Sequence, residues 1–414
     1  MARIAWLLFL PALFLSSIEF IVLFKETHGR QLSGLEDAIV PIDKKNVDLS
    51  ANVEPFVERR PTPTTNPLKI DVNQTLFVCG YDRGRLKDYL FPEFGNETTR
   101  LDFKTRHDEN SFLVFGLCGP CPSKVSGSKP PRLQSDWVQS HWKGTALFFN
   151  GEGSYGPDAR GNNTFQIGLV EDSDRSVHVL FLAMAFIGHY KRSSWKHIFQ
   201  HSHKPQSEKS EFLIYVASNC VDYREEAFDR LSAIHPPGHQ GGRCGGKISN
   251  DTGLVYKLPR HKRVPSGPKA AGWAGNSNIY MWYRFCLVME NENTWGYVTE
   301  KILNAFLGGC IPIYYGTEEI FDVFNHRAFV YYNISDPQPA IDRVRYLENN
   351  RTAYDQVLRN EPILANGEQT LNDYFSLGQD VGDGSLMRKI RDLLGLPREI
   401  VVANGTMPET TSIE

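Results

Sequence analysis

Residues 285–316 read FCLVMENENTWGYVTEKILNAFLGGCIPIYYG, and this stretch decides the fold. An apolar strand, a polar turn, an amphipathic helix and a second apolar strand follow one another within about thirty residues, the size of a βαβ unit. Gly308 and Gly309 supply a stop for the helix. One face of the helix is apolar, with Val298, Ile302, Ala305 and Phe306. The stretch therefore predicts two parallel strands of an α/β sheet.

The same alternation continues on both sides of this unit. In the second half, the pattern predicts strands at 212–217, 285–289, 310–315 and 329–332, and helices at 223–234, 298–307 and 339–359. In the first half it predicts strands at 75–79, 111–117 and 146–150, and a helix at 177–187. Such alternation is typical of parallel sheets covered by helices on both faces. A Lys-, His- and Ser-rich break at 191–210 marks a crossing between two domains, which we place at 68–205 and 206–396, with a flexible tail at 397–414.

Composition fits a globular protein rather than a nucleic-acid-binding or disordered one. The 414 residues include 41% apolar and 12% aromatic side chains, enough for a sizeable core. The 45 basic residues against 48 acidic ones give a net charge of -3, so no polycationic surface is expected overall.

The first element lies outside this pattern. Residues 4–24 carry a single charge, Glu19, and as a helix would span roughly 31 Å, close to the thickness of a bilayer core. A cleaved signal peptide is the alternative, with Ser16 and Ser17 near a cleavage site. The apolar run continues to Phe24, so we expect an uncleaved signal anchor within residues 1–24 and, at 25–67, a proline-rich stem. Either interpretation sends the chain into the secretory pathway.

Glycosylation motifs and cysteines agree with that route. Seven cysteines suit an oxidising compartment, and Cys118 and Cys121 fit a small-loop disulfide, a redox pair or half of a zinc site. Cys286 and Cys310 lie in apolar strand patterns, where we expect buried free thiols. The sequence gives no pairing for the other three, Cys79, Cys220 and Cys244. Seven Asn-x-Ser/Thr motifs, against about three expected by chance, lie at Asn73, Asn96, Asn162, Asn250, Asn333, Asn350 and Asn404.

The polar turn of the opening stretch predicts a ligand site. Open α/β sheets bind ligands at the carboxyl ends of their strands, and a helix start attracts anions. Five polar residues meet there, which suits a phosphate next to hydroxyl groups: Glu290, Asn291, Tyr297, Glu300 and Lys301.

These residues carry a resemblance to a known family. Glu290-Asn291, Gly296 to Lys301, Ile311-Pro-Ile and Gly316 resemble the donor-binding motif of the α1,3-fucosyltransferases, glycosyltransferase family 10. Residues 212–219 with Arg224 are similar to the family's strand-Ser-Asn-Arg segment, and residues 148–152 to the segment around its proposed base. Together these matches cover most of residues 145–375.

The resemblance implies a fold and a reaction. The fold would be two Rossmann-like domains facing a cleft, with acceptor specificity in the first and GDP-fucose bound by the second. The reaction would be an inverting transfer of fucose from GDP-fucose to a GlcNAc hydroxyl of a glycan, through an α1,3 linkage. No cofactor would be required, although Mn or Mg could stimulate the reaction. With the anchor, the resemblance implies a single-pass type II protein of the Golgi membrane whose catalytic domain is lumenal.

Chemistry then assigns tasks to individual residues. Inversion needs a carboxylate that takes the proton of the acceptor hydroxyl, and Glu152, in a Gly-flanked turn after a strand, is the candidate. Negative charge builds on the departing GDP, so Lys301 and Arg224 would neutralise the diphosphate. Alternatively, Lys301 is a solvated face residue and Arg224 pairs with a neighbouring glutamate.

The remaining candidates have a structural alternative each. Glu300 would accept hydrogen bonds from sugar hydroxyls, or would only favour the helix start. Tyr297 and Asn291 would orient the donor, and Ser218 and Asn219 would contact phosphate. The alternative for all four residues is a purely structural role in turns or caps. Glu290 is either a site residue or the structural anchor of the turn.

Two motifs suggest other chemistry. The pair Asp172 and Asp174 resembles the metal ligands of other sugar transferases, but it lies away from the donor cluster and we interpret it as a solvated loop or helix cap. The glycine-rich segment 238–246 lacks the GxxxxGK[ST] form of a phosphate loop, so we interpret it as a mobile loop over the donor. Two rival functions remain: a metal-dependent transferase of another nucleotide sugar, and a catalytically silent glycan-binding relative.

Overall fold

The computed structural model describes residues 70, 74–79, 89–94, 106–115, 141–151, 163–189, 199, 206–244, 255–257, 276–378 and 381–398. The predicted anchor, stem and C-terminal tail lie outside these ranges, as do Cys118 and Cys121. Within the ranges, no helix combines the length and the apolarity needed to cross a bilayer. The described residues belong to one compact unit, Pro63–Glu414.

The first half of the chain forms a parallel sheet. Its strands are β1 (Thr75–Cys79), β2 (Ser111–Phe115), β3 (Thr145–Asn150), β4 (Thr164–Gly168) and β5 (Ser176–His178). They lie side by side in sequence order, and each neighbouring pair is parallel. This order differs from that of a Rossmann fold, which the resemblance implied for this half. Helix α1 (Phe181–His189) follows β5, so the predicted helix at 177–187 begins too early.

The second half forms a six-stranded parallel sheet with the Rossmann strand order. The strands are β6 (Glu211–Ala217), β7 (Gly238–Gly242), β8 (Val255–Lys257), β9 (Tyr283–Leu287), β10 (Ile311–Tyr314) and β11 (Val330–Tyr331). Across the sheet they run β11-β10-β9-β6-β7-β8, which is the order 6-5-4-1-2-3 within this sheet. Every residue of β9 and β10 is buried, as their continuous apolar runs predict.

Helices connect and flank these strands. They are α2 (Asp222–Ser232), α3 (Ser277–Tyr280), α4 (Glu300–Gly308), α5 (Ile320–Val323), α6 (Gln338–Asn349), α7 (Arg351–Asn360), α8 (Glu368–Tyr374) and α9 (Ser385–Leu393). The single helix predicted at 339–359 is wrong, because Asn350 interrupts it. The Asn350 side chain accepts a hydrogen bond from the Ala353 N–H and caps a new helix there.

Two further predictions are corrected by this sheet. Residues 238–242 of the glycine-rich segment form strand β7, paired with β6, rather than a mobile loop. Cys286 and Cys310 are bonded to each other rather than being free thiols, and Cys220 is bonded to Cys244. The first bond joins Cys286 within β9 to Cys310 just before β10, and the second joins the segments that follow β6 and β7, so each disulfide links two neighbouring strands.

Several contacts hold the halves together, and two of them lie at helices α1 and α9. The Leu182 N–H, at the start of α1, donates to the Val298 carbonyl just before α4 at 2.8 Å. In α9, the buried Arg391 donates to the Leu90 carbonyl at 2.6 Å and pairs with Glu93 at 2.7 Å. The last helix therefore packs on the first half of the chain. The boundary between domains at residue 205 stays a prediction.

Candidate active site

The strand order of the second sheet creates a crevice between β6 and β9. These two strands are adjacent and parallel, but the chain proceeds from them toward opposite edges of the sheet. Ligands of open α/β sheets bind where the order reverses in this way, beyond the carboxyl ends of the strands. Ser218 and Asn219 follow β6 and Glu290 and Asn291 follow β9, so the fold brings both predicted segments to this point.

Arg224 links the two loops of the crevice. It lies in the first turn of α2, and only 2% of its surface is exposed. One guanidinium nitrogen donates to Asn291 Oδ1 at 2.9 Å and to the Met289 carbonyl at 3.3 Å, while the other donates to the Asn219 carbonyl. Among the described residues, none of these partners is a carboxylate, so the alternative in which Arg224 pairs with a neighbouring glutamate is wrong.

The remaining donor of Arg224 has no acceptor within the described structure. Its Nε atom is buried and makes no hydrogen bond. A buried N–H without an acceptor costs about 1–3 kcal/mol, and such groups concentrate at functional sites. Within the described part of the chain, Arg224 is thus a buried positive charge with no carboxylate partner and with one unused donor at the crevice.

Lys301 has a buried counter-ion. Its Nζ lies 2.7 Å from Glu290 Oε2, and 26% of the lysine side chain is exposed while none of the Glu290 side chain is. Glu290 also accepts hydrogen bonds from the Thr299 N–H at 2.8 Å and the Thr299 hydroxyl at 2.9 Å. Thr299 is the N-cap of α4. Glu290 is therefore the structural anchor of the turn, and it holds Lys301 at the helix start.

Two aromatic residues complete the cluster. Tyr297 receives a hydrogen bond from Asn291 Nδ2 at 3.5 Å, and its ring centroid lies 5.9 Å from Lys301 Nζ. Tyr223 donates to the Glu290 carbonyl at 2.6 Å. Burial raises the pKa of Tyr223 to about 12 although the Arg224 charge opposes the shift, so this phenol stays a donor at neutral pH. Tyr223 and Thr299 support the cluster from within through their bonds to Glu290, and no sequence pattern singles them out as site residues.

Other predicted residues lie at the margin of this cluster. Glu300 is 7% exposed and lies near Tyr280, whose pKa is raised by burial and further by the Glu300 charge. Ser218 and Asn219 are exposed, and their carbonyls accept from Arg243 and Arg224. Among the donor candidates, only these two present exposed side chains.

Several predicted residues fall outside the described ranges. Glu152 is one of them, although Asn150 and Gly151 just before it are described at the carboxyl end of β3. Two glycosylation candidates are described: Asn333 is exposed, and Asn350 is the N-cap of α7. The other five lie outside the described ranges: Asn73, Asn96, Asn162, Asn250 and Asn404. Asp172 and Asp174 lie in an exposed turn, where Asp172 accepts from the His178 N–H at 2.8 Å, as the loop interpretation expects.

Comparisons with known proteins point to one family. The model for the C-terminal domain of glycosyltransferase family 10 (fucosyltransferase) matches residues 206–361. The α-(1,3)-fucosyltransferase FucT of Helicobacter pylori is 31% identical over 158 residues, which cover 37% of this chain and 28% of that protein. A putative fucosyltransferase-like protein of Arabidopsis thaliana is 35% identical over 38% of this chain and 27% of its own length. GDP-fucose protein O-fucosyltransferase 3 of Gallus gallus is 27% identical over 35% of this chain and 29% of its own.

These matches span less than a third of the length of each relative. A crystal structure of an α1,3-fucosyltransferase superposes with a TM-score of 0.50 and 19% identity, covering 83% of this chain and 96% of that one. This likeness confirms the predicted α/β fold of two parallel sheets. Residues 206–361 are thus similar to the C-terminal domain of glycosyltransferase family 10, the fucosyltransferase family.

Proposed function

We propose that this protein is an inverting glycosyltransferase that moves L-fucose from GDP-fucose to a GlcNAc hydroxyl of a glycan, forming an α1,3 linkage. The observation that carries the proposal is Arg224, a buried guanidinium at the crevice between β6 and β9 that, among the described residues, has no carboxylate partner and keeps one unused N–H. It lies within the residues that match the fucosyltransferase domain. A diphosphate would supply both the missing acceptor and the missing negative charge.

Lys301 would add a second positive charge at the start of α4. In the described structure Glu290 already balances that charge, so the triad of Arg224, Lys301 and Glu290 keeps one net positive charge. The Glu290 carboxylate fixes the ammonium before the donor arrives, and preorganised charge is what stabilises a departing diphosphate. We assign Arg224 the larger share of that stabilisation and Lys301 the smaller.

Asn291 and Tyr297 would then hold the side chains of the cluster in position. The Asn291 amide uses its oxygen for Arg224 and its nitrogen for Tyr297, and the Tyr297 ring centroid lies 5.9 Å from Lys301 Nζ. Glu300, Ser218 and Asn219 remain our candidates for contacts to the sugar and the phosphates. The exposed side chains of Ser218 and Asn219 support a contact to the donor, and the place of Glu300 at the start of α4 supports one for that residue.

Glu152 would act as the base. It follows the carboxyl end of β3 by two residues, and the carboxyl ends of parallel strands share one edge of a sheet. In a single displacement, its carboxylate would take the proton of the acceptor hydroxyl while the oxygen attacks the anomeric carbon and the bond to GDP breaks. We further propose that the protein works in the Golgi lumen, anchored by residues 1–24.

The test is transfer itself. The purified chain is incubated with GDP-fucose and a panel of N-acetyllactosamine, N-glycan core and folded glycoprotein acceptors, with and without excess chelator. The glycoprotein is included because one relative is named a protein O-fucosyltransferase. We expect fucose on a GlcNAc hydroxyl, located by mass spectrometry and NMR, and Glu152→Gln should abolish turnover while retaining GDP binding.

Three outcomes would contradict the proposal. Transfer that stops completely in chelator would favour the metal-dependent alternative. GDP-fucose bound but never consumed with any acceptor would favour the silent glycan-binding relative. Full turnover in both Glu152→Gln and Lys301→Ala would overturn the assigned mechanism.

A further inference from the structure

We infer that a cavity beside the donor crevice, built around Glu319, His178 and Trp295, binds a neutral sugar of the acceptor glycan. The cavity has a volume of about 590 Å³, enough for a monosaccharide or disaccharide unit. This inference rests on the proposed function, because it names the chemical class of the acceptor. Its lining residues come from both halves of the chain: Glu171, Asp172, His178, Trp295, Thr317, Glu318, Glu319, Asp322 and Tyr374.

The cavity borders the donor loop directly. Trp295 belongs to the same turn as Tyr297 of the donor cluster. Between them, Gly296 has a φ of 77°, and a Cβ atom there would lie 2.9 Å from the His178 ring and 2.9 Å from Leu169. The turn is therefore packed against the end of the first sheet. A sugar in the cavity would lie next to the donor, as a transfer between them requires.

Glu319 carries an oxygen that lacks a partner. Only 8% of its side chain is exposed, and its Oε1 lies 2.7 Å from His178 Nε2. Its Oε2 is buried and makes no hydrogen bond within the described structure. A buried carboxylate oxygen costs free energy unless a donor reaches it, and a sugar hydroxyl is such a donor.

His178 fixes the orientation of that carboxylate. Its Nδ1 lies 3.1 Å from the Gly168 carbonyl, which only accepts, so Nδ1 carries a hydrogen. The short contact between Nε2 and Glu319 Oε1 then needs one proton between the two atoms. Because Oε1 is committed to the ring, Oε2 is the atom that remains for a ligand.

Trp295 offers an apolar surface to the same cavity. Its ring lies 4.2 Å from the His178 ring, tilted by 32°, and 47% of the residue is still exposed. An exposed indole held by a neighbouring ring can pack against the C–H face of a pyranose, while Glu319 accepts hydrogen bonds from the hydroxyls of that sugar. One wall is thus apolar and another accepts hydrogen bonds, the combination that recognises a sugar.

The charge of the lining selects among sugars. Five carboxylates face the cavity, from Glu171, Asp172, Glu318, Glu319 and Asp322. Lys389 pairs with Asp172 and His178 with Glu319, and the other three carboxylates would repel a sialylated or sulfated glycan. Among the described residues, the metal-ligating atoms of this lining do not gather in a group of three close enough for one ion. A neutral polyhydroxylated ligand therefore fits better than an anion or a divalent cation.

Binding and turnover test the inference separately. The ligands are N-acetyllactosamine, N,N′-diacetylchitobiose, sialylated N-acetyllactosamine and Mn²⁺, each titrated against the full chain by calorimetry and saturation-transfer NMR. The variants are Glu319→Ala, Trp295→Ala and the conservative Trp295→Phe. Glu368→Gln is the control, because Glu368 is an exposed carboxylate on α8 outside the lining. GDP binding in each variant reports whether the donor site is intact.

We expect Glu319→Ala to weaken neutral-disaccharide binding, and to raise the acceptor KM, by about tenfold or more, as loss of a hydrogen bond to a charged group implies. Trp295→Ala should weaken the same binding and raise the same KM, because it removes the apolar wall of the cavity. Trp295→Phe should recover most of the loss, and Glu368→Gln and GDP affinity should stay within about twofold of wild type. Sialylated N-acetyllactosamine should bind more weakly than the neutral disaccharide.

Failure of the inference is distinct from failure of the proposed function. If the chain transfers fucose but Glu319→Ala leaves the acceptor KM unchanged, the cavity is not the acceptor site. If neutral disaccharides bind through Glu319 but no fucose is transferred, the cavity stands and the enzymatic proposal fails. Stronger binding of the sialylated ligand, or Mn²⁺ binding that Glu319→Ala abolishes, would also overturn the inference.

Discussion

Removal of Lys301 should destabilise the protein more than neutralisation of Glu290. The two residues form an asymmetric ion pair, in which none of the Glu290 side chain is exposed but 26% of the Lys301 side chain is. After Lys301→Met, the carboxylate would stay buried with only the two donors of Thr299. After Glu290→Gln, the ammonium would still reach water.

The contacts of the two residues determine how much free energy of unfolding each variant should lose. Breaking a buried pair from one side costs about 3–5 kcal/mol, and because water reaches the lysine end we expect about 3 kcal/mol for Lys301→Met. Glu290→Gln keeps an oxygen for the Thr299 N–H and loses only charge-assisted bonds, so we expect about 2 kcal/mol. The double variant Glu290→Gln/Lys301→Met should cost clearly less than the sum, with a coupling of about 1.5–3 kcal/mol.

Urea unfolding of the four proteins, with disulfides intact, measures these differences as shifts in midpoint. The exposed pair Glu226 and Arg230 on α2 is the matched control, since both side chains are about half exposed and the pair should couple by about 0.5 kcal/mol or less. A Lys301→Met variant that is no less stable than Glu290→Gln would contradict this asymmetry. So would a coupling of the buried pair that does not exceed that of the exposed one.

Three more predictions follow from the same contacts. Arg224→Lys removes the guanidinium fork, and calorimetry should show GDP binding weakened by about tenfold or more; unchanged affinity would contradict the donor assignment. Gly296→Ala should cost about 1–3 kcal/mol in urea unfolding through strain and overpacking, whereas Gly367→Ala, at φ 56° with open space around it, should cost less. Because burial raises the folded pKa of Tyr223 to about 12 from 10.0, the unfolded chain loses this proton first, so stability should fall as pH rises from 10 to 12. Phenolate absorbance should therefore appear at higher pH in the native protein than in urea.

The predictable part of the fold is the part in which local pattern and tertiary environment agree. Strands β9 and β10 are buried on both faces, so their sequences are continuous apolar runs. Strand β7 reads GHQGG and has no such run. Gly242 has a φ of 82°, and a Cβ at Gly241 would lie 3.1 Å from Val216. Those glycines are required by the neighbouring strand, which sequence reasoning had not yet placed beside them.

The disulfides could not be predicted for a related reason. Cys286 lies within β9 and Cys310 just before β10, and the apolar surroundings of both are typical of buried thiols. Their pairing depends on which strands are neighbours and in which register, and the register aligns Cys286 with Pro312. Only the assembled sheet brings the two sulfurs together.

The proximity of the candidate donor residues was predictable, but their individual contacts were not. Four of them lie in the turn of the βαβ pattern and Arg224 was singled out by the family resemblance, and the structure brings Arg224, Asn291, Tyr297, Lys301 and Glu290 into one contact network. That Glu290 is the anchor and Arg224 the charge with no carboxylate partner among the described residues depends on burial and on hydrogen-bond geometry. Neither can be read from residue types or from their spacing.

His178 and Glu319 illustrate the limit of sequence reasoning, because 141 positions separate two groups that meet at 2.7 Å. What joins them to the donor cluster is the turn within residues 285–316, where Trp295 stacks on His178 and Tyr297 contacts the lysine. Gly296 is left no room for a side chain between these two contacts. A shift of this turn would therefore move one wall of the cavity and one side of the donor cluster together, so acceptor and donor binding should be energetically coupled through this turn.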